Sequence, residues 1–113
     1  MLFPVKLKLA PFEAEALRKY MLRCFEISLD KSARNELITL GEYYPRLETA
    51  VRSKVFRQSK KVSTYTLPLS IVRTLWCRWQ KEEINEALQM ILTKVDQELE
   101  NAGRKPHFPT QLL

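Results

Sequence analysis

Glycine is nearly missing from this chain, with two in 113 residues. That excludes a glycine-lined phosphate loop and a turn-rich all-β architecture, and it leaves helices as the main building element. Histidine is scarcer still. With His107 alone, a cluster of several histidines around a metal is impossible, and a histidine-centred catalytic triad would have to use a segment near the C-terminus. The two cysteines, Cys24 and Cys77, lack the paired spacing of a redox or zinc motif, and each sits in an apolar helical pattern where a free thiol acts as a small hydrophobe. No window reaches the ~18 consecutive apolar residues of a membrane span. Met1-Leu2-Phe3-Pro4-Val5-Lys6 lacks the basic, apolar and cleavage regions of a secretory signal. The expectations are a cytoplasmic protein with no membrane association, no cofactor, no metal and no catalysis.

Acids are missing locally. From Thr49 to Lys81 there is no Asp or Glu, while eight cations occur: Arg52, Lys54, Arg57, Lys60, Lys61, Arg73, Arg78 and Lys81. The chain carries 19 Lys+Arg against 13 Asp+Glu, so the rest of it holds 11 cations against 13 acids and the net +6 is concentrated in this third. The half from Leu67 to Trp79 reads as core helix, whose apolar positions leave no place for acids. The half from Arg52 to Lys61 reads as surface.

What is present follows two periods. Phe3, Val5, Leu7 and Leu9 alternate with Lys6 and Lys8, the signature of a half-buried strand. Pro11, followed by Glu13 and Glu15, opens a helix whose inward face is Ala14, Leu17, Met21 and Cys24. Asp30 is the expected N-cap of a second helix to about Tyr43, carrying Ala33, Leu37, Leu40 and Tyr44; Pro45 then predicts a break or kink before a further helix to Arg57. Ser59 to Leu67 is β-branched and aromatic and reads as a second strand. Pro68 and Ser70 open a helix with Val72, Leu75, Trp76 and Trp79 inward. Glu82, Glu83 and Glu86 read as first-turn acids of a last helix bearing Ala87, Leu88, Ile91, Val95 and Leu99, either separate from its predecessor or continuous with it through a kink; Gly103 stops it.

The expected fold is therefore α+β and predominantly helical: two short strands paired as an antiparallel ribbon, strand-helix-helix twice, covered by four to five helices. One compact domain over residues 1–103 is expected, with 104–113 as an extended tail. At an offset of 58, Leu7 aligns with Tyr65, Leu9 with Leu67, Ala14 with Val72, Leu17 with Leu75 and Met21 with Trp79. Val5-Lys6-Leu7-Lys8-Leu9-Ala10-Pro11 and Ser63-Thr64-Tyr65-Thr66-Leu67-Pro68 are each an alternating strand that meets a proline and then a helix. This pattern resembles ribbon-helix-helix DNA-binding proteins, which lay a two-stranded ribbon in the major groove. The resemblance implies that Lys6, Lys8, Thr64 and Thr66 face outward, toward bases or phosphates. The chain departs from that pattern in its long first-half helical region containing Pro45, and in carrying both strands on one chain.

The candidate nucleic-acid-binding residues are Lys6, Lys8, Arg52, Lys54, Arg57, Lys60 and Lys61, because cations that neutralise phosphates release counterions and give salt-sensitive affinity. The expected function is a small nucleic-acid-binding or regulatory module. The alternative is a protein-interaction module or subunit with an acidic partner or a second copy as homodimer, using the aromatic corner at Tyr43 and Tyr44. Trp76 and Trp79 beside Arg73 and Arg78 could stack bases, but their place on the inward face assigns them to the core.

Overall fold

The structure, a computed structural model, describes residues 4–29, 35–56, 61–101 and 103, with the backbone alone at residues 55 and 56. The elements in chain order are β1 (Pro4–Leu9), α1 (Pro11–Ser28), α2 (Asn35–Phe56), β2 (Ser63–Pro68), α3 (Leu69–Trp79) and α4 (Glu86–Asn101). The fold is mostly helical around one two-stranded antiparallel sheet.

The period-two pattern of β1 becomes a strict alternation of burial, with Val5, Leu7 and Leu9 inside and Pro4, Lys6 and Lys8 outside. In β2, Tyr65 and Leu67 are buried while Thr64 and Thr66 are exposed. The two strands pair in the register Val5↔Leu67, Lys6↔Thr66, Leu7↔Tyr65 and Lys8↔Thr64. Pro4 and Pro68 stand opposite each other at one end, where a missing N–H costs the ladder least. Leu7 and Tyr65, aligned by the sequence offset, face each other in this register. Pro11 and Leu69, separated by the same offset, each open a helix. The halves diverge after that point: α1 has 18 residues and α3 has 11.

The core is one cluster in which the inner ribbon face meets all four helices, including Ala14, Leu17, Met21, Leu40, Leu47, Leu75, Ile91 and Val95. Val72, Leu75, Trp76 and Trp79 are buried on α3, as are Leu88, Ile91, Val95 and Leu99 on α4. The inward faces read from the 3.6-residue period therefore hold. Gly103, at φ 65, follows α4 in the left-handed conformation that lacks a penalty only for glycine.

Three expectations are corrected. The further helix expected after Pro45 is not separate: α2 runs through Pro45 as one helix, and the described residues form four helices, within the expected four to five. Tertiary burial overrides the local cost: Leu37, Leu40 and Tyr44 before the proline, and Leu47 and Val51 after it, all belong to the same core, whereas Pro45 itself is exposed. Second, β2 starts at Ser63, with Lys61 and Val62 preceding it as non-strand residues. Third, Glu82 and Glu83 lie in the connection rather than the first turn of α4, the last helix being separate from its predecessor, one of the two expected arrangements. Asn85 is the cap, its side-chain oxygen accepting from the Leu88 N–H at 2.9 Å. The expected Asp30 cap, Ala33, and the tail 104–113 lie outside the described residues.

Candidate nucleic-acid interface

Because Val5, Leu7, Leu9, Tyr65 and Leu67 are drawn into the core, the pleat turns Lys6, Lys8, Thr64 and Thr66 to the opposite face, where all four are exposed. The register makes them two cross-strand pairs, Lys6 with Thr66 and Lys8 with Thr64. The outer ribbon face thus presents two ammonium groups and two hydroxyls, groups that donate to phosphate oxygens and to acceptors on base edges.

A groove of about 700 Å³ runs between this face and α4. Its ribbon side includes Lys6, Lys8 and Thr64, with Val62 just before β2; its helical side is Thr93, Lys94, Gln97 and Glu98. Lys94 fastens the two sides together. Its Nζ donates to the Lys8 carbonyl at 2.7 Å and to Glu13 Oε1 at 2.8 Å. Glu13, at the third position of α1, is buried at 1% exposure, and the same Oε1 accepts from the Ala10 N–H at 2.8 Å. That last bond is the reach-back half of a capping box, so one carboxylate closes the start of α1 and holds Lys94 of α4, whose ammonium also reaches β1. Glu13 Oε2 is buried without a hydrogen-bond partner among the described residues.

Other expected cations go elsewhere. Arg52 is exposed on α2 and lies 3.3 Å from Glu48, one turn earlier. Lys54 sits 5.2 Å above the centre of the Tyr65 ring, a cation–π contact that joins the end of α2 to β2. Lys61 is exposed before β2. Neither Arg52, Lys54 nor Lys61 lines the groove. Arg57 and Lys60 lie outside the described residues. The structure therefore brings Lys6 and Lys8 together and places Arg52 and Lys54 on a different element. It adds Lys94, Thr93, Gln97 and Glu98, for which α4 offered no sequence signal beyond being polar on its wet face.

The aromatic candidates separate. Tyr44 is buried, with its ring 5.5 Å from that of Phe25, whereas Tyr43 is half-buried and lines a hollow of about 350 Å³ with Arg46 and Ile71. Trp76 and Trp79 are both buried; Trp76 Nε1 donates to Asp96 Oδ1 at 3.0 Å. Tyr20 packs edge-on to Trp79 and donates its hydroxyl to Glu82 Oε2 at 2.6 Å. Arg78 Nε lies 2.6 Å from the same oxygen, a close ion pair whose geometry does not qualify as a hydrogen bond. Burial, and then the bond to Glu82, raises the Tyr20 hydroxyl above the usual tyrosine range. Burial likewise pushes the neighbouring Cys24 thiol up to about 11, so it stays protonated and is a poor nucleophile at neutral pH. Among the described residues no three metal-ligating side chains converge, and no helix is long and apolar enough to cross a membrane.

The chain matches no family model, and neither a curated protein nor a solved structure matches it.

Proposed function

We propose that this chain is a small nucleic-acid-binding module that meets its ligand with the outer face of the β1–β2 ribbon, acting as a binding protein rather than a catalyst. The observation that carries this reading is the pair of cross-strand couples, Lys6 with Thr66 and Lys8 with Thr64, exposed together on the face opposite the buried Val5, Leu7, Leu9, Tyr65 and Leu67. A two-stranded ribbon is narrow enough to enter a major groove, and alternating cations and hydroxyls supply phosphate and base-edge donors. The side chains of Lys6, Lys8, Thr64 and Thr66 lie outside the apolar core that packs the ribbon on the helices, which leaves them available to a ligand.

The test is titration of a labelled 20-base-pair duplex at about 50 mM salt, repeated with the Lys6→Ala/Lys8→Ala double variant. Binding that weakens at least tenfold in the variant supports the reading. An absence of binding at low salt would remove it. Displacement of the duplex by poly-glutamate at equal charge concentration would transfer the surface to an acidic protein partner instead.

A further inference from the structure

We propose that the groove between the outer ribbon face and α4 is a site for a small polyphosphate ligand of nucleotide kind. The further claim that this ligand competes with nucleic acid rests on the function proposed above, because both would use Lys6 and Lys8.

The groove holds about 700 Å³, within the range of roughly 300–1,000 Å³ usual for small-molecule sites. Its chemistry is divided along its length. Lys6 and Lys8 come from the ribbon and Lys94 from α4. An ammonium group has three N–H bonds, and Lys94 spends two of them, on the Lys8 carbonyl and on Glu13. Its third remains for a ligand. Those same two bonds hold the ammonium in place before any ligand arrives, so little ordering is left to be done on binding. Glu98 follows Lys94 by four residues, one helical turn or about 6 Å along α4. A carboxylate there repels phosphate and accepts hydrogen bonds from hydroxyls, which sets one orientation: phosphates toward the lysines, sugar toward Glu98. Gln97 supplies both a donor and an acceptor beside it. Val62, exposed at 56% and lining the groove with no core role, gives an apolar surface for a ring.

A polymer's phosphate chain alone gives no role to Glu98 or Val62. A ligand with phosphates at one end and hydroxyls and a ring at the other uses the whole groove.

The experiment is a fluorescence titration of the full chain with methylanthraniloyl-labelled ATP, followed by displacement with ATP, adenosine and inorganic tripolyphosphate. Saturable binding is expected, with ATP displacing at least tenfold better than adenosine. Lys6→Ala/Lys8→Ala should weaken it at least tenfold. Glu98→Ala should weaken ATP several-fold while leaving tripolyphosphate unchanged. All these side chains are exposed, and circular dichroism checks that each variant is folded. Failure to saturate, binding unchanged in the lysine variant, or equal effects of Glu98→Ala on ATP and tripolyphosphate would overturn the site. ATP should also displace a labelled duplex from the wild-type chain. Duplex binding that ATP neither joins nor displaces sinks this inference and leaves the nucleic-acid function standing; ATP binding without any duplex binding does the reverse.

Discussion

Glu13 is the one charged side chain buried among the described residues; its single engaged oxygen closes the start of α1 and binds Lys94 of α4, which in turn reaches the Lys8 carbonyl of β1. Breaking a fully buried ion pair costs about 3–5 kcal/mol, but the Lys94 side chain is 36% exposed, so water would compensate part of the loss. Glu13→Gln should therefore lower unfolding stability by about 2 kcal/mol, read from the urea midpoint at constant slope. A change below about 0.5 kcal/mol would mean that the pair only decorates the groove. A second residue-scale effect concerns alkaline pH. The folded-state values of Cys24 and Tyr20 are both raised, mainly by burial. Above about pH 8.5 for Cys24 and about pH 10 for Tyr20, where the unfolded chain releases these protons and the folded chain does not, unfolding is favoured. The Cys24 contribution is complete below about pH 8.5 and is lost as pH rises toward about 11, its folded value; that of Tyr20 is lost at higher pH. Urea midpoints should be flat from pH 7 to 8.5 and fall above it. A Cys24→Ala variant should show a shallower fall, and midpoints level up to pH 11 would contradict the assignment.

At the scale of elements, α1 and α2 cross at Gly41. A Cβ built there would lie 2.7 Å from Ser28 Oγ, 2.9 Å from the Phe25 Cα and 3.1 Å from the Cys24 carbonyl oxygen. Two of those neighbours are backbone atoms that cannot swing away. Alanine in place of a mid-helix glycine gains about 1 kcal/mol of propensity, whereas forcing a helix pair apart costs about 1–3 kcal/mol and more when backbone must move. The clash should win, and Gly41→Ala should lower the thermal midpoint although it improves the isolated helix. A raised midpoint would show that the crossing can relax. Gly41 also stands four residues before Pro45, so its carbonyl is the one that loses its helical partner to the proline. Local rules read Pro45 as an interruption because they see that lost bond. They do not see Leu40 and Leu47 entering the same core on either side of it. The start of α4 departs from its local pattern for a related reason: three acids close together look like a first turn, but Tyr20 and Arg78 hold Glu82 outside the helix, and Asn85 provides the cap.

For the whole molecule, the question is how many of the cations act on one ligand. If the outer ribbon face meets phosphates, the slope of log affinity against log salt should decrease in magnitude by about 2 in Lys6→Ala/Lys8→Ala, roughly 0.9 for each phosphate no longer neutralised. Arg52→Ala should change it little, because Arg52 sits on α2 beside Glu48 and away from the groove. An equal effect of both variants would mean that the charge acts as a diffuse field rather than through the ribbon. Lys54, one of the cations of the acid-free stretch, is engaged in packing against Tyr65, so net charge overstates the surface available.

The alternation in residues 5–9 and 63–67 determines by itself that Lys6, Lys8, Thr64 and Thr66 share a face opposite the core, because a strand's side chains can only point to one side or the other. The 3.6-residue period likewise determines the buried stripes of all four helices, because apolar burial acts on each helix face independently of its partner. Only the tertiary structure decided that α4 lies beside β1, that Lys94 and a buried Glu13, 81 residues apart, close on each other, and that a groove results. Those facts depend on which faces meet, and the pattern within one element carries no record of its neighbour.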